Sequence, residues 1–311
     1  MTFARSIKEE LVHLKRTEQE KLAELAALIQ LNGELRINSE GMMIKFKSVN
    51  HAITRHFFKL VKDLYDAEME LSTEKNSFNK KELNVTITTK AQEIALEVGL
   101  LSEGMDDYEL LTPTSEAKQA YIRGAFLASG SINDPVTANY HLEVFVSSKE
   151  SAIFVQRMIN SFNLNSKITK RRNGFIIYLK EAEAISEFLK VIGAYEGVFK
   201  FEDLRIQRDF TNSINRVMNC EIANEKKTLK AASLQLKQIK IIKKYKNHEL
   251  LEDSIKEIII LREENPEASL NELSLAYYEK TGEKMSKSGI NHRLKKIEQL
   301  AREIIENIDK K

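Results

Sequence analysis

The sequence predicts an α+β fold in which a duplicated helix-and-strand unit is followed by an all-α helix-turn-helix domain, and three observations carry that reading. A small-residue helix ending in glycine, Leu25-Ala26-Ala27-Leu28-Ile29-Gln30-Leu31-Asn32-Gly33, recurs as Ile122-Arg123-Gly124-Ala125-Phe126-Leu127-Ala128-Ser129-Gly130. Each copy continues through the same order of alternating and 3.6-period stretches, and matching repeats fix architecture before any motif does. The last third of the chain holds a lysine-rich amphipathic segment and three helices with recognisable caps.

The N-terminal stretch from Met1 to Arg16 mixes charges, with Ser6 and Glu9 at capping-box spacing, so it is expected to start a helix there and is no signal peptide. After Gly33 come the alternating Met42, Ile44 and Phe46, the amphipathic run Ala52 to Tyr65, the strand-like Val85-Thr86-Ile87 and the run Ala91 to Leu101. After Gly130 come Leu142, Val144 and Val146, then Ala152 to Phe162, Phe175 to Leu179 and Ala182 to Ile192. Period two reads as half-buried strand and period 3.6 as helix, so each copy is a helix-strand-strand-helix-strand-strand-helix unit. The repeats are expected at about 20–110 and 118–200 within a domain spanning 1–220, with a second domain at 221–311.

Composition sets limits on function. The chain has 311 residues, 42% hydrophobic and 30% charged, with only three prolines and eleven glycines, which describes a helix-leaning globular protein with two cores. Apolar runs such as Ile258-Ile259-Ile260-Leu261 fall far short of the ~20 residues a membrane span needs, so a cytoplasmic, nucleoid-associated protein is expected. Cys220 stands alone, which excludes an intramolecular disulfide and a Cys-rich zinc site. The six histidines, His13, His51, His56, His141, His248 and His292, include no pair at helical metal-ligand spacing. No metal and no cofactor is called for.

The order of elements and the helix-glycine pair resemble the LAGLIDADG homing endonuclease fold. The resemblance implies two motif helices packed side by side on a pseudo-two-fold axis, each delivering one acid to the floor of a DNA-binding saddle. Ala23, Ala26 and Ala27 in the first copy and Gly124, Ala125 and Ala128 in the second suit such close packing. The catalytic-acid positions hold Asn32 and Ser129. Two-metal phosphodiester cleavage needs anionic oxygen ligands, and neutral amides or hydroxyls bind Mg²⁺ poorly without them. Glu34 and Asp134 lie nearby but beyond each glycine. The expectation is an endonuclease fold that is not an enzyme.

Net charge is only +2, so the distribution of charge matters more than its sum. Between Lys226 and Lys246 there are eight lysines and no acid, interleaved with Leu229, Leu234, Leu236, Ile239, Ile241 and Ile242 at helical spacing. Lys226, Lys230, Lys237, Lys240 and Lys244 form one face, and of three readings, a solvated face, a membrane-surface helix and a phosphate-tracking helix, the last is favoured because ordered lysines supply the salt-dependent, sequence-independent part of DNA affinity. Upstream, the asparagine-rich segment 212–224 is expected to be the domain junction, since asparagine favours turns and caps and also hydrogen-bonds phosphates or bases.

The C-terminal elements read in order. Asp253 to Glu264 is a helix stopped by Pro266; Ser269 with Glu272 makes a capping box for a helix through Lys280; Thr281-Gly282-Glu283-Lys284-Met285 turns the chain; and Ser286 caps a third helix running at least to Leu300. In the third helix Ile290, Leu294 and Ile297 face the core, while Ser288, His292, Lys295, Lys296 and Gln299 lie opposite, with Asn291 and Arg293 on the flanks and Lys287 near phosphate. Such side chains read base edges and grip phosphates in a major groove, whereas the alternative is a solvated bundle helix. Lys284-Met285-Ser286-Lys287-Ser288 spells the KMSKS signature of class I aminoacyl-tRNA synthetases, but no His-x-Gly-His partner and no strand-glycine-helix nucleotide fold precedes it.

The degenerate duplication, the junction Asn215-Arg216 with Asn219 to Asn224, and the segments Asn265 to Leu270 and Ser286 to Leu294 together resemble the WhiA family over nearly the whole chain. That resemblance implies a bacterial regulator of transcription that binds double-stranded promoter DNA, tied to sporulation, cell division or chromosome segregation. The N-terminal domain is left open to protein partners. Two alternatives stay open: a nucleoid- or division-associated DNA-binding protein with an incidental transcriptional role, and a metal-dependent DNA endonuclease using displaced acids.

Overall fold

The central turns of the two motif helices are buried on every side, and the rest of the N-terminal unit is built around them. The computed structural model describes residues 2–39, 41–75, 81–101, 110–137, 139–245 and 251–309. Lys246 and His248 lie outside the described residues. Two compact units are present, Met1–Asp209 and Phe210–Lys311.

In the first unit the order is α1 (Phe3–Leu11), α2 (Glu18–Asn32), β1 (Gly33–Asn38), β2 (Gly41–Ser48), α3 (His51–Tyr65), β3 (Met69–Lys75), β4 (Lys81–Ile87) and α4 (Ala91–Glu97). The second repeat follows as α5 (Ser115–Ser129), β5 (Gly130–Ile132), β6 (Leu142–Val146), α6 (Lys149–Asn160), β7 (Lys167–Arg171), β8 (Gly174–Leu179) and α7 (Ala182–Val191). The duplicated helix-strand-strand-helix-strand-strand-helix unit is as the sequence predicts. Each repeat carries one antiparallel sheet of the same topology, β1-β2-β4-β3 and β5-β6-β8-β7. Register places Phe46 opposite Val85 and Val144 opposite Ile177, so the alternating apolar residues of both sheets face the helices. Phe46 stacks on Phe57 of α3 with centroids 4.1 Å apart.

Helix α1 begins earlier than its capping-box spacing suggests. Thr2 is the N-cap and Ser6 instead donates to Phe3 O, because starting at Phe3 lets Phe3, Ile7 and Leu11 all enter the core one turn apart. Thr17 and Glu20 close a capping box at the start of α2. From Ala23 to Ile29 every α2 residue is buried, and α5 is buried continuously from Ala120 to Leu127. Apart from Glu24 and Arg123 these stretches are apolar all round and must be covered on all sides, and the two helices cover each other. Their contact is tight: a Cβ added at Gly124 would stand 2.6 Å from Glu24 O and 2.8 Å from Ala27 Cβ, so only glycine fits. Gly33 and Gly130 have extended backbone at φ −84° and −70°, and their role is spatial, since a Cβ at Gly33 would meet Ile29 O at 2.4 Å.

A buried charge cluster ties the repeats. Glu24 of α2 is fully buried, with Oε2 2.7 Å from Arg123 Nε of α5 and 2.7 Å from Arg16 Nε, and Oε1 2.6 Å from His56 Nε2. Burial alone would push its carboxyl up, but the His56 hydrogen bond and the guanidinium groups of Arg123 and Arg16 overcome that and hold it at about 2.

Helix α8 (Tyr195–Tyr245) carries the chain into the second unit. The asparagine-rich segment, expected as a turn-forming junction, is helical throughout, and the domain boundary expected at 220/221 falls inside it. Asparagine's low helix propensity is a weak prior, and flanking turns on both sides carry the helix across it. Every residue from Thr211 to Lys227 is exposed. Helices α9 (Asp253–Glu264), α10 (Leu270–Thr281) and α11 (Lys287–Asp309) complete the unit. Its own core gathers Ile239 and Ile242 of α8 with Ile258, Leu273, Ile290, Leu294 and Ile297. Ser269 and Glu272 form the expected capping box, and Gly282 takes the left-handed conformation at φ 74° that ends α10.

Candidate nucleic-acid interface

Helix α11 is fixed by its apolar side and leaves its polar side exposed. Ile290, Leu294, Ile297 and Ala301 are buried at one-turn spacing, so Ser288, His292, Lys295, Lys296 and Gln299 fall on the exposed side, beside an exposed Lys287. Ser286 Oγ accepts from Gly289 N and caps the helix, which sets where its first turn begins. Of the flanking residues, Asn291 is half-buried, and the Arg293 guanidinium turns back toward Met285 Sδ at 3.1 Å and Gly289 O at 3.4 Å. Lys296 Nζ lies 3.5 Å from Glu252, an exposed pair that costs little to exchange for a phosphate. Gln299 donates to Glu303.

Lys226, Lys230, Lys237, Lys240 and Lys244 are all exposed. At about 100° per residue they lie within roughly 80° of arc on α8, and the buried Ala232, Ile239 and Ile242 lie on the opposite side. Burial of that side therefore orients the lysine stripe outward. Lys243, off the stripe, pairs with Glu263 at 2.7 Å.

The degenerate acid positions have structural work instead. Asn32 Nδ2 donates to Ala128 O at 3.0 Å, joining the ends of the two motif helices, and Ser129 Oγ donates to Phe145 O at 2.6 Å. A carboxylate could make neither bond, because both partners are acceptors. Sequence reasoning missed Lys8, whose Nζ donates to Leu127 O at 3.2 Å and lines the same 420 Å³ cavity as Asn32. Desolvation lowers its ammonium to about 8. Glu34 is exposed and paired with Lys47 at 2.8 Å and Arg36 at 3.2 Å, while Asp134 Oδ1 accepts from Val136 N. Among the described residues no group of three His, Cys, Asp or Glu side chains could hold a metal ion.

The strand faces turned from the helices mix both signs of charge. In the first sheet the register sets Arg36, Lys45 and Lys47 beside Glu34, Glu70, Glu74 and Glu82, and in the second Lys167 and Arg171 beside Glu143. Several of these cations already have partners, as in Lys45–Glu74 at 2.7 Å and Arg171–Glu143 at 3.4 Å. Phosphate contact there would have to displace ion pairs. Among the described residues no carboxylate pairs with the lysine stripe of α8. No helix among the described residues is long and apolar enough to cross a membrane.

Three family models match in succession: the WhiA N-terminal LAGLIDADG-like domain at 18–101, the WhiA LAGLIDADG-like domain at 118–211 and the WhiA C-terminal HTH domain at 214–301. Probable cell division protein WhiA of Oceanobacillus iheyensis is 42% identical over 311 residues, covering 98% of each chain. The protein of the same name from Staphylococcus aureus is 42% identical over 310 residues, again 98% of each. The crystal structure of full-length DUF199/WhiA from Thermatoga maritima superposes with a TM-score of 0.60 at 26% identity, covering 97% of this chain and 99% of that one. The duplicated α+β unit, the helix-turn-helix and these full-length matches agree, and the chain belongs to the WhiA family.

Proposed function

We propose that this protein is a sequence-specific DNA-binding regulator of transcription, linked to cell division, chromosome segregation or sporulation, that works in the cytoplasm on the nucleoid and cuts no DNA. The observation that carries the reading is the exposed face of α11, where His292, Lys295, Lys296 and Gln299 stand on a helix locked by a buried apolar side. Rigid presentation of donors and acceptors is what major-groove readout needs. The lysine stripe of α8 then holds flanking phosphates, and splitting contacts over tethered elements raises affinity through effective concentration. In this reading residues 221–311 bind DNA, and the domain at 1–220 is free to take a protein partner.

Asn32 and Ser129 support the absence of nuclease chemistry, since both are committed as donors to carbonyls and Lys8 brings an ammonium to the same end of the motif helices. A second reading, a nucleoid- or division-associated protein with incidental effects on transcription, draws on the cell-division name of the relatives and on the sequence-blind lysine stripe. Fluorescence anisotropy with genomic promoter fragments and shuffled controls across a salt series separates the two. The proposal expects promoter fragments to bind at least about 10³-fold tighter than shuffled DNA. Equal affinity for both supports the second reading, and Mg²⁺-dependent nicking of plasmid refutes the non-enzymatic assignment.

A further inference from the structure

The loop between α1 and α2 and the outer side of α3 enclose a cavity of about 630 Å³, within the size range of small-molecule sites. Its floor is built. Arg16 and His56 have side chains only 4% and 5% exposed, and both are held by Glu24, at 2.7 and 2.6 Å. Arg16 is further anchored through Nη2 to Leu11 O at 2.6 Å and through Nη1 to Leu14 O.

The rim differs in kind from the floor. Lys15, Arg55 and Lys59 are exposed, line the cavity and have no carboxylate partner among the described residues. The one lining acid, Asp63, is taken by Lys21 at 3.0 Å. Arg55 and Lys59 stand four apart on α3, where like charges repel each other. A recess in which cations outnumber carboxylates and the walls are of low dielectric focuses its field on an incoming counter-ion. Leu14, Ala52 and Leu60 add apolar wall for an organic body.

We propose that this cavity binds a small organic molecule carrying a diphosphate or triphosphate group, the anion lying among Lys15, Arg55 and Lys59 above the Arg16–His56 floor. Several separated cations match several phosphate charges better than one carboxylate, and arginine adds a planar fork for phosphate oxygens. The site is distinct from the proposed DNA contacts, none of which lines it. Glu24, which holds the floor, also binds Arg123 of α5, so the cavity adjoins the joint between the repeats.

Calorimetric titration of the full chain with pyrophosphate and with ATP at fixed ionic strength tests this, alongside thermal unfolding with and without each probe. An Arg55→Gln/Lys59→Gln variant changes only exposed side chains, and circular dichroism confirms its fold. Saturable one-to-one binding of ATP or pyrophosphate with a raised Tm is expected, weakened at least about tenfold in the variant, whose DNA affinity is unchanged. Absence of saturable binding by either probe overturns the proposal, and so does equal affinity in the variant. Loss of DNA affinity in the variant without anion binding also overturns it, assigning the cavity to nucleic acid. The titration contains no DNA, so its failure leaves the regulator reading untouched.

Discussion

Glu24 and Arg123, one from each motif helix, meet with 2.7 Å between Oε2 and Nε at the centre of the N-terminal unit. Arg16 and His56 complete the cluster, so removing Glu24 strands the buried Arg16 guanidinium and leaves Arg123 only the more distant Glu20, at 3.8 Å. Glu24→Ala should cost about 3–5 kcal/mol of stability in urea unfolding. A loss below about 1 kcal/mol would show that the cluster does not join the repeats.

The same cluster fixes a pH dependence. The Glu24 carboxyl is lowered from the usual 4.5 to about 2 by His56, Arg123 and Arg16 against the opposing effect of burial. A depressed native pKa contributes stability that is complete above the unfolded value and lost as pH falls through the native one. Wild-type stability should therefore drop between pH 4.5 and 2 more steeply than that of Glu24→Gln, with a difference of order 3 kcal/mol across the window. Parallel curves from chemical denaturation at pH 5, 4 and 3 would contradict it.

Gly124 is the tightest point between α2 and α5, with no room for a side chain against Glu24 O and Ala27. Gly124→Val should destabilise by about 1–3 kcal/mol or more by forcing the helices apart. Differential scanning calorimetry reads this directly, and an unchanged Tm would mean the helices are not packed as described.

What was legible in the sequence was whatever has a local signature. The repeat showed itself through Gly33 and Gly130 at the ends of like helices, and the helix-turn-helix through the Ser269–Glu272 box and Gly282. The continuity of α8 was hidden, because asparagine at 212, 215, 219 and 224 is ordinary turn vocabulary and only the flanking helix overrides it. The Glu24 cluster was invisible for a different reason: Arg16, His56 and Arg123 are 8, 32 and 99 residues away in sequence, and no periodicity links them. The one trace of the basic cavity in the sequence is Arg55 and Lys59 standing four apart. For the interface, Ile290, Leu294 and Ile297 already told which side of α11 is exposed, while the inward turn of Arg293 onto Met285 was not readable.

The lysine stripe makes a prediction about salt. Replacing Lys237 and Lys240 by glutamine should weaken DNA binding about equally for all sequences and reduce the slope of log K against log salt by about 0.9 for each phosphate no longer neutralised. Both side chains are exposed, so stability should stay within about 0.5 kcal/mol of wild type. An unchanged slope would remove the stripe from the interface.

Base readout by α11 is the central claim, and genome-wide occupancy of the intact protein beside a His292→Ala/Lys295→Ala/Lys296→Ala variant tests it most directly. The three side chains are exposed on a helix whose buried face is untouched, so the variant should fold. Sharp promoter peaks in the wild type that vanish in the variant are the result expected of a regulator reading sequence through α11. Broad occupancy that the triple substitution leaves unchanged would contradict it.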